Sequence, residues 1–233
     1  NDIQEMLKTS AKDFLERECP SGLVREIEDG PEGYSKKLWS QVVELGWTGV
    51  AFPESLGGSG GDFLDLMVLT EEMGRALAPV PFFSTVVLGG MTLLDAGTQA
   101  QKGEVIPRIC SGDAIMTLAL TESAATFDPN GVVFEAKKDG DAFVLDGTKL
   151  FIPDAQISDL LILVARTSLS EDGISLFLVP TEYPGLSVTV MDTISGDNQC
   201  EIVCEGVRVP QDSVIGEIDG GWPIIARAIE RIA

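Results

Sequence analysis

The stretch SGDAIMTLAL, residues 111–120, decides the fold because the hydrophobic pattern of the chain changes there. Ser-Gly-Asp is a turn signal, and the apolar run that follows, residues 114–120, has the composition of a buried strand. Upstream of this stretch apolar residues recur at helical spacing, whereas downstream they form short runs between turn signals. We therefore predict an α+β chain with a helical half followed by a β half.

Helices are predicted on both sides of a glycine-rich loop, residues 52–61, in the first half. The first helix has apolar residues at near-helical spacing: Ile3, Leu7, Ala11, Phe14 and Leu15. A second helix is predicted to begin at Ser35 and to end at Gly46. Its predicted inward residues are Leu38, Val42 and Leu45.

The helix after the glycine-rich loop is predicted over residues 63–77, with Asp62 as its N-cap. Its predicted core face carries Leu66, Met67, Met73 and Leu77. The pair Glu71-Glu72 on this helix is predicted to be solvated rather than an acid/base pair. A further apolar helix is predicted over residues 83–96, and Thr98 with Gln101 has the form of a capping box for a helix that ends at Cys110.

Short strands separated by turn signals are predicted in the second half: residues 114–120, 132–138, 142–145, 160–165, 175–179, 186–190 and 200–209. Asp139-Gly140-Asp141 and Asp146-Gly147 are predicted hairpin turns, and the fully apolar strand 160–165 is predicted to be buried on both faces. Strands at this spacing indicate an antiparallel sandwich or barrel. Pro210 is predicted to end the sheet, and a further helix is predicted from Trp222.

Composition and charge exclude several classes of protein. The 233 residues include 16 Lys and Arg, 37 Asp and Glu and no His, which gives a net charge of −21. Without an imidazole there is no Ser-His-Asp triad, Cys-His pair or histidine metal ligand. The negative charge opposes binding to nucleic acid and to an anionic membrane. No apolar run is long enough for a membrane span, and residues 1–5 lack the basic-then-apolar order that we would expect of a signal peptide.

Neither the cysteines nor the glycine-rich segment has the residues that a metal, catalytic or phosphate-binding motif requires. The cysteines, Cys19, Cys110, Cys200 and Cys204, are too few for a disulfide framework and indicate a reducing, cytoplasmic location. Cys200 and Cys204 have no second pair nearby, so small core residues are favoured over a zinc site, and no metal is predicted. Residues 57–61 match G-x-S-x-G, but a nucleophile elbow needs a preceding strand and a histidine. They also lack the Gly-Lys-Ser/Thr of a P-loop.

Six segments carry a resemblance to a known family: residues 45–60 (LGWTGVAFPESLGGSG), 71–75 (EEMGR), 118–122 (LALTE), 145–152 (LDGTKLFI), 159–166 (DLLILVAR) and 206–222, which begins GVRVP and ends GGW. In wording and in order they resemble the acyl-CoA dehydrogenase family over nearly the whole chain. No single segment is specific for the family, whereas the occurrence of all six in the same order is.

The resemblance implies three domains and a flavin chemistry. It implies an N-terminal helical domain over residues 1–112, a middle β-barrel-like domain over 113–212 and the start of a C-terminal helical bundle over 213–233. Because the last predicted helix is still running at Ala233, we expect the protein to continue. The implied reaction uses FAD to remove hydrogens from the α and β carbons of an acyl-CoA. The family's base is a glutamate in or near the third domain, so no catalytic residue is named, Glu230 included.

The implied cofactor-binding residues lie in two segments, and both depart from the family pattern. TESAATFD, residues 121–128, replaces TEP-x-x-GSD, and FIP, residues 151–153, replaces Trp-Ile-Thr. The positions that the resemblance brings to the flavin are Leu118, Leu120, Thr121, Thr126, Phe127, Phe151 and Pro153. A phenylalanine ring can still pack on a flavin, but a proline provides neither a hydroxyl nor a backbone N–H.

Three interpretations stay open. The chain is a FAD-dependent dehydrogenase subunit, or a subunit with a degenerate flavin site whose partner chain completes a hetero-oligomer for a bulky or steroid-type CoA ester, or a non-enzymatic binding module. The implied partners are an acyl-CoA, an electron-accepting flavoprotein and other subunits of a homo- or hetero-oligomer. Candidate cations for the phosphates of CoA are Lys137, Lys138, Lys149 and Arg166.

Overall fold

The computed structural model describes residues 2–30, 32–170 and 172–232. It divides into two compact units, one of Asn1–Phe83 with Gly103–Asp113 and the other of Ser84–Lys102 with Ala114–Ala233. The first unit is helical, and the second contains an eight-stranded sheet followed by a helix. The predicted α+β class is therefore confirmed.

Besides two three-residue 3-10 helices, Trp47–Gly49 and Glu54–Leu56, seven helical segments precede the sheet in the described part of the chain, and one of the seven has π geometry. They are α1 (Asp2–Glu18), α2 (Ser21–Glu28), α3 (Lys36–Glu44), α4 (Phe63–Ala76), the π-helix Phe83–Gly90, α5 (Met91–Ala96) and α6 (Gln99–Cys110). Of these seven, only α2 lies outside the predicted helices, because a proline and a glycine at positions 20 and 22 are typical of a helix end. Pro20 is instead the N-cap of α2, a position outside the hydrogen-bonded turns where proline is tolerated.

The predicted helix starts are confirmed by their side-chain caps. Ser35 Oγ accepts from Leu38 N at 3.2 Å, and Asp62 and Asp65 form a reciprocal capping box at the start of α4. Thr98 N donates to Gln101 Oε1 at 2.9 Å, and Gln101 N donates to Thr98 Oγ1 at 3.2 Å. Each cap satisfies N–H groups that the first turn of a helix leaves open.

The predicted core faces of α3 and α4 need three corrections. Leu66 and Met73 are buried as predicted, but Met67 is 52% exposed and Leu77 is 70% exposed. The true face of α4 follows Leu66 and Leu69, and Met67 lies about 100° around the helix from Leu66. Leu77 is the C-cap, with φ of 50°. Leu45 is the C-cap of α3 and is 46% exposed, because a C-cap lies beyond the last packed turn.

Glu72 was predicted to be solvated and is buried instead, at 2% exposure. Its carboxylate pairs with the Arg75 guanidinium on the next turn and lies 3.9 Å from Lys8 Nζ on α1. The neighbouring Glu71 remains exposed and accepts from Lys8 Nζ at 3.0 Å. A buried charge persists only where it is paired, so these two cations explain how Glu72 is accommodated against α1.

The sheet is open and mixed rather than a closed antiparallel barrel. Its strands are β1 (Met116–Ala119), β2 (Glu135–Asp139), β3 (Ala142–Pro153), β4 (Leu160–Arg166), β5 (Ile174–Pro180), β6 (Leu186–Met191), β7 (Gln199–Pro210) and β8 (Val214–Ile215). Their order is β6-β7-β3-β2-β4-β5-β8, with β1 paired to β4. Both β1 and β2 are parallel to β4, and the other pairings are antiparallel.

The centre of the sheet follows the sequence pattern closely. Residues 160–165 of β4 are buried throughout, as predicted, and β1 and β5 pair with the strand on its two edges. The Phe143 and Phe177 rings pack edge to face with centroids 5.1 Å apart. The hairpin at Gly140, which has φ of 66°, is confirmed between β2 and β3.

Two predicted interruptions of the sheet are wrong. Asp146-Gly147 is not a hairpin, because β3 continues through it with a register shift against β7. Gly147 has φ of 139°, and a Cβ there would lie 2.9 Å from the Phe134 ring, so the glycine serves close packing rather than a turn. Pro210 ends β7, but β8 follows it and pairs with β5. The last helix, α7 (Trp222–Ile232), begins as predicted.

Candidate functional site

The end of β1 is attached to β3 inside the second unit. Leu118 and Leu120 are 6% and 7% exposed, so their side chains belong to the core. Thr121 is half-buried, and its carbonyl accepts from Leu150 N at 2.9 Å. This bond holds the Thr121 backbone beside the residue that precedes Phe151, so the structure brings the two predicted flavin segments together.

A buried ion pair fixes the same junction. Lys149 Nζ donates to Glu122 Oε1 at 2.6 Å and to the Leu120 carbonyl at 3.1 Å. Glu122 Oε2 also accepts from Val133 N at 2.9 Å and from Phe134 N. Complete burial lowers the pKa of Lys149 to about 8, against the opposing pull of Glu122. Lys149 was a candidate for CoA phosphates, and this prediction is wrong because the ammonium is enclosed.

The loop after Glu122 is exposed and keeps its amide groups open. Ala125 has φ of 49°, and its N–H donates to the Glu122 carbonyl at 2.9 Å. Within the described residues, the backbone N–H groups of Ser123, Ala124, Thr126 and Phe127 have no protein acceptor. Amides of this kind, displayed in a turn, can bind anions and polar ligand atoms.

The two loop residues that depart from the family pattern, Thr126 and Phe127, differ in how they pack. A Cβ placed on Gly131 would lie 2.1 Å from Thr126 Oγ1, so Thr126 packs closely over the glycine of the next turn. Phe127 is 62% exposed, which leaves its ring available to a ligand or a partner chain. Asp128 then caps the short turn Pro129–Gly131, accepting from Asn130 N at 2.8 Å.

A strained turn presents Phe151. The pairing of β3 with β7 shifts register between Lys149 and Ile152, and Phe151 lies in this shift with φ of 56°. The ring is 49% exposed, whereas the neighbouring Ile152 is 1% exposed. A bulge of this kind redirects one side chain out of the strand alternation. Pro153 follows, half-buried, and has no N–H to donate.

Asp154 closes the turn and was not singled out from the sequence. It has φ of 55°, its N–H donates to the Asn198 carbonyl at 2.9 Å, and its carboxylate accepts from Ser84 Oγ at 2.6 Å. Burial raises the pKa of Asp154, partly opposed by hydrogen bonds from Ser84 and Asn198. Asp154 follows a proline at a strand end, which is the one sequence signal that could have indicated a special turn.

These features fit a flavin in part. An exposed aromatic ring at Phe151 and open amides in residues 123–127 provide a stacking surface and hydrogen-bond donors. At position 153 the chain has no donor, so one contact that the resemblance implies is missing. The residues therefore suit the flavin ring and its polar edge, with a weaker set of donors than the family pattern has.

The remaining candidate cations lie on the exposed surface of the same unit. Arg166 donates to the backbone carbonyls of Val132 and Ser170 at 2.9 Å each. Its guanidinium also lines a shallow depression of about 410 Å³ with Asn130, Leu169 and Ser170. Lys137 is 70% exposed and pairs with Glu135, and Lys138 is exposed beside it.

The part of the chain that the structure describes contains neither a metal cluster nor a helix that could span a membrane. No group of three or more His, Cys, Asp or Glu residues there could hold a metal ion. Cys200 and Cys204 are buried free thiols, at 0% and 2% exposure. No described helix is long and apolar enough to cross a bilayer.

In α7, Glu230 is exposed and Arg231 pairs with Asp95 of α5.

Comparison with known proteins gives two family matches that together span most of the chain. Residues 1–113 match the model "Acyl-CoA dehydrogenase, N-terminal domain", and residues 117–207 match "Acyl-CoA dehydrogenase, middle domain". The probable acyl-CoA dehydrogenase YngJ of Bacillus subtilis is 33% identical over 227 residues, which is 94% of this chain and 59% of YngJ.

Two solved structures give the same fold. The Tcur3481-Tcur3483 steroid ACAD is 31% identical with a TM-score of 0.87, covering 100% of this chain and 62% of that one. The ChsE4-ChsE5 complex from Mycobacterium tuberculosis is 28% identical with a TM-score of 0.86, covering 99% and 61%. The chain thus spans about three fifths of the length of each of these proteins.

Proposed function

The chain belongs to the acyl-CoA dehydrogenase family, and from that membership we propose that it provides part of the FAD site of an enzyme that dehydrogenates the α and β carbons of an acyl-CoA. The observation that carries the proposal is the turn at Phe151, which presents an exposed ring beside the backbone of Thr121. The domains are proposed at residues 1–112, 113–212 and 213–233.

FAD, when bound, supplies the acceptor for the hydride that leaves the acyl chain. The residues of this chain bind and orient it. Phe151 packs on the ring, and Thr121 and the open amides near Thr126 and Phe127 donate to its polar atoms. Leu118 and Leu120 hold the strand beneath these donors in place through their burial. The buried Glu122–Lys149 pair keeps this scaffold rigid without contacting the cofactor.

The acyl-CoA is a polyanion, and on a chain with a net charge of −21 it needs local cations. Lys137, Lys138 and Arg166 are proposed for that role because they lie together along one exposed depression. Two of them are also used by the protein itself, since Lys137 pairs with Glu135 and Arg166 donates to backbone carbonyls. Exposed charges of this kind contribute little individually, so the proposal assigns binding to the group rather than to one residue.

A second candidate function is a subunit that needs a partner chain to bind FAD. Pro153 removes a donor and Phe127 replaces a small residue with an exposed ring. Both changes favour incomplete flavin binding by this chain alone. The ChsE4-ChsE5 structure, a complex of two named chains, supports a hetero-oligomer as one arrangement open to this family. A non-enzymatic module remains the third candidate.

An electron-accepting partner and a cellular location follow from the proposed reaction and from the cysteines. An electron-accepting flavoprotein would reoxidise the reduced cofactor, since the proposed reaction leaves two electrons on the flavin. A cytoplasmic location is supported by the four cysteines, which are all free thiols.

The visible flavin spectrum of the purified full-length protein, alone and with any co-purifying chain, separates the candidates. A yellow protein with about one FAD per chain would support the first candidate and contradict the other two. FAD that binds only with a partner chain would support the second candidate. A protein that binds no FAD in either form would contradict the proposed enzymatic function.

A further inference from the structure

Two non-glycine residues, three positions apart in the sequence, have left-handed backbone conformations. Phe151 has φ of 56° and Asp154 has φ of 55°, and they flank Ile152 and Pro153. This conformation is uncommon for residues other than glycine and is an outlier for a bulky aromatic residue. Such residues cluster at functional sites, and they persist only where surrounding contacts hold them.

The surrounding contacts converge on Asp154. Its N–H donates to the Asn198 carbonyl at 2.9 Å, its carbonyl accepts from Ser158 Oγ at 2.8 Å, and its carboxylate accepts from Ser84 Oγ at 2.6 Å. The donors and acceptors belong to the loop before β7, the turn after β3 and the π-helix. Three separate segments of the second unit are therefore joined at one residue.

The Asp154 carboxylate accepts hydrogen bonds from Ser84 and from the Asn198 side chain, and the bond from Ser84 is the one that joins it to the π-helix. The π-helix that carries Ser84 is buried from Ser84 to Gly90, and π geometry is rare and occurs frequently at functional sites. A hydroxyl-to-carboxylate bond is short and strong when it is partly enclosed. Movement of this helix would therefore be transmitted to the turn that ends in Asp154.

We propose that Asp154 is a positioning residue that holds the Phe151–Pro153 turn in its strained conformation through the hydrogen bond from Ser84. The proposal rests on the proposed function only where it assigns the turn to FAD. Asp154 acts on the cofactor through Phe151 and does not contact it. The position of the π-helix and the conformation of the flavin-facing turn are then coupled through this hydrogen bond.

Three variants separate the hydrogen bond from the backbone conformation. S84A removes the hydroxyl alone. D154G removes the carboxylate but favours the left-handed conformation. D154N keeps an acceptor and tolerates that conformation, so it is the conservative rescue. D146N is the matched control, because Asp146 is an exposed aspartate of the same strand that accepts from Gly206 N.

Backbone hydrogen–deuterium exchange of residues 150–158, in the full-length protein without FAD, tests the positioning by itself. We expect about tenfold faster exchange in S84A and D154G, as the loss of one enclosed hydrogen bond predicts. D154N and D146N should stay within about twofold of wild type. Wild-type exchange in both S84A and D154G would overturn the proposal, whatever the protein binds.

FAD affinity, measured by absorbance titration of the protein with any partner chain, tests the consequence. S84A and D154G should weaken FAD binding about tenfold relative to D154N, since a mobile turn must be ordered on binding. Unchanged affinity in a variant with faster exchange would overturn the assignment of the turn to FAD. If wild type binds no FAD, the proposed function fails, and the exchange measurement still decides the positioning role.

Discussion

Glu122 and Asp154 are both enclosed carboxylates of the second unit, and their surroundings differ in charge. Glu122 has the Lys149 ammonium at 2.6 Å and two backbone N–H donors. Asp154 has a serine hydroxyl at 2.6 Å, and Asp197 adds a repulsive charge. Burial without a cation disfavours the ionised form, so Asp154 is the carboxylate whose protonation depends on the fold.

This difference predicts how stability changes with pH in D154N. The folded pKa of Asp154 is raised above its unfolded value, so the native state retains the proton over a wider pH range. The contribution of Asp154 to stability is therefore fully present below the unfolded pKa and falls as pH rises through the folded pKa. D154N should gain stability relative to wild type as pH rises above the ordinary pKa of an aspartate, measured by urea unfolding. A constant difference would contradict the prediction.

Removing the cation of the buried pair should be costly. K149M leaves the Glu122 carboxylate buried without its ammonium, and we expect a loss of about 3–5 kcal/mol in the free energy of unfolding. The double variant K149M/E122Q should recover part of this loss, because a neutral amide oxygen can still accept from Val133 and Phe134. K137M, an exposed control, should change stability by about 1 kcal/mol or less. Equal effects of K149M and K137M would contradict the role of the pair.

Restoring the donor at position 153 should strengthen FAD binding. P153T supplies a hydroxyl and a backbone N–H, and one additional hydrogen bond contributes about 0.5–1.5 kcal/mol. The dissociation constant of FAD should fall by about 2- to 12-fold, again by absorbance titration. The control is P180T, at the exposed end of β5, which should leave it unchanged. Weaker binding in P153T would contradict a flavin contact there.

Two irregularities in the pairing of strand β3 with β7 form part of the candidate site. The strand is paired with β7 along most of its length, and its pairing shifts at two places. The first shift places Gly147 against Phe134, and the second turns the Phe151 ring outward. One strand therefore provides both a packed end and a presented side chain.

The capping box of α4 gives a test of a helix terminus. D62A removes the acceptor for Leu64 N and Asp65 N, at 2.8 and 3.1 Å, and keeps the backbone N–H of residue 62 that donates to Asp65 Oδ2. The free energy of unfolding should fall by about 0.5–2 kcal/mol. S10A, an exposed serine within α1, serves as the control. An unchanged urea midpoint in D62A would contradict the assigned cap.

Elements with strong local signals were predictable from the sequence. The caps at Ser35, Asp62 and Thr98 and the buried strand 160–165 are where their patterns predict them. Local chemistry sets these features, since a cap needs an acceptor next to its helix and a buried strand needs a continuous apolar run.

Features that depend on tertiary partners were not predictable. Gly147 has the signature of a turn, but the close approach of Phe134, the residue before β2, determines its role. The burial of Glu72 depends on Arg75 and on Lys8 of α1. In the candidate site, Asp154 has no motif of its own, because its role arises from Ser84, which is 70 residues away in sequence.

The net charge of −21 acts on the whole molecule, since FAD and acyl-CoA are both anionic. Long-range repulsion between exposed charges is screened at physiological ionic strength, so moderate salt is expected to assist ligand binding. The exposed Lys137 and Lys138 and the half-buried Arg166 reduce the repulsion locally. The open amides of residues 123–127 provide donors without adding charge.

The most direct test of the proposed flavin site is the FAD content of the full-length protein with any partner chain, compared between wild type and F151A. We predict about one FAD per site in wild type and at least about a tenfold weaker affinity in F151A, because the stacked ring is lost. I194A, at a fully exposed position of the same unit, should bind FAD as wild type does. Equal FAD content and affinity in wild type and F151A would contradict the site.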